Sequence, residues 1–249
     1  MKKGNKILKF LNNLLFPNNM KCIFCNKEIF RDSERGLCED CKHNLPFTGI
    51  KTCEKCGQTI HDMGRLCLSC KKSANKPYIK AFAPFQFDGK VIEVIHKLKY
   101  HNAKWLAEYL GRFILEEFYR QDIKIDVVVP IPLSEKRYKE RGYNQAEIIC
   151  CKFLESGFTV DNKNFIRTKH TNSQTNLTKV KRKENLKDAF TVVDKSAFKD
   201  KTILLVDDVF TTGATMEEAS KVLLKAKAKG IYCLTIANVA SPLQKKKQE

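Results

Sequence analysis

Eight cysteines stand before residue 71 in four C-x-x-C pairs: Cys22/Cys25, Cys38/Cys41, Cys53/Cys56 and Cys67/Cys70. A C-x-x-C turn delivers two sulfurs to one ion, and two such turns close a tetrahedral Zn²⁺ site, so four pairs supply two closed Cys₄ sites. The segment 21–71 is too short and polar to bury a core of its own, and bound metal must supply its stability. Structural zinc contributes roughly 10–16 kcal/mol of apparent binding energy per ion. Gly36, Gly57 and Gly64 suit tight turns. Sequential pairing of the four units needs the shortest loops, and an interleaved pattern is the alternative. An Fe–S cluster is the rival occupant. His43 and His61 lie nearby, but eight thiolates already fill both sites. Closed sites leave no open coordination position, so docking or a purely structural role is expected rather than chemistry at the metal.

The remaining three of the eleven cysteines are scattered. Paired spacing with no signal peptide implies a reducing compartment, and hence a cytoplasmic location, rather than a disulfide framework. Residues 1–20 carry Ile7, Leu8, Leu11, Leu14 and Leu15 on one helical face. Asn12 and Asn13 interrupt this run, and no small-residue cleavage site follows, so an apolar helix packed on the protein is expected. Weak contact with a membrane surface is the alternative. No apolar run is long enough to cross a bilayer.

The formal net charge of +18 favours polyanionic partners. Two zinc ions on eight thiolates lower it only to about +14. Lys21, Lys27, Arg31, Arg35, Lys42, Lys51 and Lys55 are the candidates for DNA contact in the cysteine segment.

Residues 71–77, KKSANKP, read as a linker to a second domain over 78–243. Tyr78–Phe87 is β-prone. Asp88-Gly89 caps a helix carrying Val91, Ile92, Ile95 and Leu98 on one face, and another helix spans 103–119. IDVVVPIP and TILLVDDV are short buried strands, each followed by a helix (144–154 and 214 onward), the latter ending at Gly230 as C-cap. IYCLTIANVA is the last strand, and 168–187 is a polar, basic loop. Alternating strands and helices predict an α/β fold with a mainly parallel sheet flanked by helices. Trp105 is expected to anchor its helix in the core, with stacking on a base as the alternative. Cys150, Cys151 and Cys233 are expected in the core. His96 and His170 have no partner at catalytic spacing.

The run ILLVDDVFTTGAT, residues 203–215, is the most informative. A buried strand ends in Asp207 and Asp208. Thr211, Thr212, Gly213, Ala214 and Thr215 then lead into a helix, whose N-terminal amides and dipole favour phosphate. Gly213 permits close approach of the backbone. The two acids suit vicinal sugar hydroxyls and Mg²⁺. A phosphate plus a diol is a ribose 5-phosphate. A plain strand-turn-helix with an Asp cap accounts for one acid and one threonine, not for the pair and the threonine-rich turn.

This run resembles the phosphoribosyl pyrophosphate (PRPP) motif of type I phosphoribosyltransferases. Together with HKLKYHNAKWLAEYLG, VVPIPLSEKRYKERGYNQAE and RTKHTNSQTNLTKVKRKENLKDAF, it resembles the ComF family (ComFC/GntX-type), which pairs a double zinc ribbon with a phosphoribosyltransferase domain. The resemblance spans about 220 residues, from LLFPNNMKCIFC to the final strand. His101-Asn102 departs from the glycine that relatives often carry there. It implies that Asp207 and Asp208 contact the ribose hydroxyls and that residues 211–215 cradle the 5-phosphate. Pyrophosphate would then lie at 130–144, where Arg137, Lys139 and above all Arg141 are the cations. A lid over 167–187 would carry Arg167, Lys169, Lys179, Lys181 and Arg182, with Thr171 and Gln174 singled out by the resemblance alone. The reaction implied is Mg²⁺-assisted displacement of pyrophosphate at ribose C1, with Asp207, Asp208 and Arg141 as the catalytic set. No signature of a base-specific pocket is present. The cellular role implied is DNA uptake in natural transformation, with single-stranded DNA and uptake or recombination proteins as partners. A non-catalytic PRPP-sensing or nucleic-acid-binding module is the alternative.

Overall fold

The computed structural model describes residues 20–29, 36–49, 51–60, 63–73, 75–168, 186 and 188–239. The apolar leader, the basic loop around 169–185 with most of the expected lid cations, and the C-terminal tail lie outside the described residues. The chain forms two compact units, Met1–Leu45 and Pro46–Glu249.

In the first unit, strands β1 (Met20–Lys21) and β2 (Glu28–Ile29) pair antiparallel around the Cys22/Cys25 turn, and helix α1 (Glu39–Asn44) follows Cys38. Asn26 and Gly36 adopt positive φ, the left-handed backbone that such turns demand. The division into units falls inside the segment 21–71. The second cysteine group, with helix α2 (Leu68–Lys72), lies in the same unit as the main sheet.

That sheet holds β3 (Lys80–Phe82), β4 (Phe85–Gln86), β5 (Val127–Pro130), β8 (Thr202–Phe210) and β9 (Gly230–Asn238). Its order is β3-β9-β8-β5, with β4 also on β9, and every pairing is parallel. Ile203–Val206 are all buried, because helices cover both faces of a parallel sheet and no polar alternation is needed. A separate antiparallel pair, β6 (Phe165–Arg167) and β7 (Phe190–Val192), stacks Phe165 on Phe190.

Helix α3 (Gly89–Tyr100) starts at Asp88, whose side chain accepts from the Gly89 amide, and buries Val91, Val94, Ile95 and Leu98. Ile92 instead faces outward, since Val94 completes the apolar stripe. Helix α4 (Leu106–Arg120) packs on α6 (Gln145–Glu155), and α5 (Glu135–Arg141) lies between β5 and α6 in sequence. Trp105 is 57% exposed at the N-cap of α4, edge-on to Tyr109, and so does not anchor the core; Leu106 and Leu110 fill that space. Cys150 and Cys233 are buried as expected, whereas Cys151 is exposed on the outer face of α6. Helix α7 (Ala214–Lys225) ends at Ala226, and Gly230 opens β9 rather than capping the helix, because Lys227 takes the left-handed turn.

Candidate phosphate site and cysteine clusters

The sulfurs of Cys22, Cys25, Cys38 and Cys41 lie within 4.8 Å of one another, and so do those of Cys53, Cys56, Cys67 and Cys70. Pairing is therefore sequential. The Sγ–Sγ separations are 3.4 Å for Cys25–Cys38 and 3.7 Å for Cys56–Cys67. A tetrahedron with Zn–S bonds near 2.3 Å has edges of about 3.8 Å, so each group fits one zinc ion, whereas a multi-iron cluster spreads its ligands wider. Backbone amides of Cys67 and Cys70 point at Cys53 Sγ (3.3 Å) and Cys67 Sγ (3.4 Å), the arrangement that stabilises thiolates. His43 turns its Nδ1 to the Glu39 carbonyl, 2.8 Å away, and is a member of neither group. Metal analysis of purified protein is expected to return about two zinc per chain, and a value of one or below overturns the ligand assignment.

The second site lies at the carboxyl ends of β5 and β8, where parallel α/β sheets bind ligands. A cavity of about 320 Å³ opens there, walled in part by Asp207, Asp208, Thr211, Thr215, Arg137, Arg141 and Arg167. Neighbouring residues on a strand point to opposite faces, yet Asp207 and Asp208 both line this cavity, in the last four residues of β8. Asp208 is 5% exposed; Lys99 Nζ lies 2.8 Å from its Oδ1, and Gln145 Nε2 donates to its Oδ2 at 2.8 Å. The Asp208 amide donates to Asp207 Oδ1 at 2.8 Å. Burial, reinforced by the neighbouring Asp208 charge, pushes the Asp207 carboxyl up to about 7.

Among the described residues, four cations line the cavity with these two acids. Arg141 closes α5; its guanidinium donates to Gln145 Oε1 and lies 5.3 Å from the Tyr100 ring centre. Gly142, at φ 77°, makes the left-handed turn that stops α5. Asn144 then caps α6 by accepting from the Ala146 amide at 3.0 Å, and ties it to β5 through the Ile131 carbonyl at 3.0 Å. Arg167, at the end of β6, lies over the Phe190 ring; burial, with Arg137 beside it, pulls its guanidinium down to about 10. Lys99 and Arg137 complete the set. Lys139 does not join it: its amine pairs with Glu135 on the exposed side of α5, 2.6 Å away.

Gly213 is the N-cap of α7, with φ 79°. Thr211 and Thr215 line the cavity, whereas Thr212 turns its hydroxyl back toward the Ala214 amide at 3.4 Å, and Gly213 and Ala214 form the turn behind. Asp207, Asp208, Arg141, Thr211 and Thr215 thus line one cavity.

Sequence reasoning missed Lys99 as a partner of Asp208 and Gln145 as the link from Asp208 to Arg141. Lys99 is one of three lysines on α3, and only the packing of that helix reveals which of them meets Asp208. Lys99→Met is expected to weaken sugar-phosphate binding about tenfold, because Asp208 then keeps only Gln145 while its charge stays buried. Calorimetry with ribose 5-phosphate checks this, and unchanged affinity removes Lys99 from the site.

Of the cations proposed for DNA contact, Lys27 pairs with Asp40, Lys42 pairs with Glu39, and Lys55 folds its amine onto the Tyr78 carbonyl. Lys21 and Lys51 are exposed, and Arg31 and Arg35 lie outside the described residues. No helix among the described residues is long and apolar enough to cross a membrane.

The double zinc ribbon domain model matches residues 11–73, and the phosphoribosyl transferase domain model matches residues 102–249, more than half of the chain. Competence protein F of Haemophilus influenzae is 31% identical over 219 residues, covering 83% of this chain and 92% of that protein. Competence protein ComFC of Streptococcus pneumoniae is 27% identical over 230 residues, covering 87% and 99%. DNA utilization protein YhgH of Escherichia coli K12 is 28% identical over 222 residues, covering 80% and 96%. Paired cysteine tetrads, a parallel sheet ending in an acidic pair, and these relatives together place the chain in the ComF family of double-zinc-ribbon phosphoribosyltransferase-domain proteins.

Proposed function

We propose that the cavity at the end of β8 binds PRPP with Mg²⁺, and that the protein transfers the phosphoribosyl group during the handling of incoming single-stranded DNA in the cytoplasm. The observation that carries this reading is the meeting of two carboxylates, two threonines and four cations around one 320 Å³ space. The threonines and the first amides of α7 suit the 5-phosphate. Arg137, Arg141 and Arg167 suit the pyrophosphate, for which a guanidinium offers paired donors. Charge builds on that leaving group as the bond to C1 breaks, so cations aimed at it lower the barrier. The acids, facing the sugar, offset the positive charge growing there. Asp207 and Asp208 are also the residues that would hold Mg²⁺, whose charge would offset that of the departing pyrophosphate.

The competence and DNA-utilization names of the relatives support the DNA role, as does the net charge of +18. A second reading, a PRPP sensor without turnover, rests on the same cavity, whose acids, threonines and cations suit PRPP whatever follows its binding. Incubation with PRPP, Mg²⁺ and a panel of bases, nucleosides, amines and single-stranded DNA decides between them. Pyrophosphate release is expected; tight binding with no release from any acceptor selects the sensor. Affinity for single-stranded DNA is expected to fall steeply between 50 and 200 mM salt, by about 10³-fold or more for six or more phosphate contacts, and a flat profile removes the electrostatic case for DNA.

A further inference from the structure

The two cysteine tetrads are alike in chemistry and unlike in setting. The first lies in the unit Met1–Leu45. The second shares one apolar core with the sheet: Cys53, Cys56, Cys67 and Cys70 belong to the same buried cluster as Tyr78, Ala81, Phe210, Met216 and Ala219. Its turn is pressed against β3, where a Cβ on Gly57 would sit 2.4 Å from the Ala81 carbonyl oxygen. The Ala81 amide in turn donates to the Lys55 carbonyl at 2.9 Å.

Two short connections run from this tetrad to the phosphate turn. Asn238, 3% exposed, donates its Nδ2 to the carbonyl of Cys56 at 2.7 Å. Asn238 is the register partner of Phe210 across β9 and β8, and the next residue, Val239, donates its amide to the Phe210 carbonyl at 2.9 Å. Gln58, two residues beyond Cys56, donates to the Val239 carbonyl. The second connection is aromatic: the Tyr78 ring meets Phe210 edge-on at 6.2 Å. Phe210 is the floor of the phosphate turn, since a Cβ on Gly213 would lie 2.7 Å from its Cζ. The turn that presents Thr211, Thr215 and the first amides of α7 rests on a ring that belongs to the same buried cluster as Cys53, Cys56, Cys67 and Cys70, on a residue whose backbone pairs with β9.

We infer that the second tetrad, through Asn238 and Phe210, positions the phosphate turn, so that metal held by Cys53, Cys56, Cys67 and Cys70 and a sugar phosphate held at residues 211–215 bind cooperatively. The inference rests on the proposed sugar-phosphate reading of that turn. Asn238 and Phe210 are positioning residues, as neither lines the cavity. Linkage makes the effect reciprocal: metal strengthens ligand binding, and ligand retains metal by the same factor. The first tetrad belongs to the other unit and serves as the internal control.

The test follows zinc release from the full-length, zinc-loaded protein into a chromogenic chelator, with and without saturating PRPP and Mg²⁺, alongside calorimetry of PRPP binding. Two release phases are expected, of which PRPP slows one at least fivefold. That protected phase is expected to survive in Cys22→Ser and to vanish in Cys53→Ser. Should Cys53→Ser fail to fold, Asn238→Ala keeps all eight thiols; it is expected to weaken PRPP binding about tenfold and to speed the protected phase, leaving the other unchanged. PRPP bound normally with neither phase slowed, or Asn238→Ala matching the wild type in both measurements, overturns the inference and leaves the functional reading intact. No PRPP binding by the intact, zinc-loaded protein overturns both.

Discussion

Asp208→Asn is expected to weaken PRPP binding by at least about 100-fold and to abolish pyrophosphate release, while the chain still folds. The carboxylate is the end point of contacts from Lys99 and Gln145, and through Gln145 it holds Arg141. An amide keeps the shape and one acceptor, but it loses the charge that a cation or a sugar hydroxyl needs. Leaving Lys99 without its ion costs on the order of 1–3 kcal/mol of stability, softened because Lys99 is 21% exposed and can reach water.

Its neighbour should behave differently. Asp207→Asn is also expected to impair binding, but to stabilise the fold. The Asp207 carboxyl, pushed up to about 7, keeps a proton that the unfolded chain releases near the ordinary aspartate value of 3.8. Between those values the folded state binds more protons than the unfolded one, so stability falls as pH rises through that window. At pH 8 the substitution should therefore recover on the order of 2 kcal/mol, discounted for the partial exposure of the group. Thermal melts at pH 5 and pH 8 read this directly: a wild type that loses stability over that range, and a variant that loses less. In the wild type, PRPP affinity should strengthen as pH rises through 7, when Asp207 ionises. Equal pH slopes for the two proteins would show that Asp207 is an ordinary surface acid.

The second large effect is expected at Gly213. Its φ of +79° lies in the left-handed region, and a Cβ there meets the Phe210 ring at 2.7 Å. Gly213→Val adds a branched side chain to a backbone that disfavours one and drives it into a buried ring. A cost of about 3 kcal/mol or more follows from strain and overpacking together. The turn should open, and PRPP binding should be lost with it. Urea melts and calorimetry together test this. The variant with Phe210→Leu added should recover part of the stability, because the ring is the main obstacle, but little of the binding, because the strained backbone remains. Wild-type affinity in Gly213→Val would show that the turn does not hold the phosphate.

The parts of the site legible without a structure are those carried by contiguous chain. The acidic pair, the threonine turn and the helix start occupy nine consecutive residues, 207–215, and their chemistry follows from neighbours along the chain. Each C-x-x-C turn likewise announces two ligands by local geometry alone, and the glycine after Arg141 announces a turn.

What the sequence determined by itself was therefore local: two cysteine-held metal sites, buried strands ending at loops, and a phosphate-suited turn. Tertiary structure decided how they combine. It chose sequential pairing of the thiols, sank the second tetrad into the core of the sheet, and left Trp105 in water. It also brought Lys99, from a helix over a hundred residues earlier, onto Asp208. The reason is physical: turn geometry is set by residues a few bonds apart, whereas an ion pair or a packed ring depends on which helices cover the sheet, and the hydrophobic burial that arranges them carries no address in the sequence of charges.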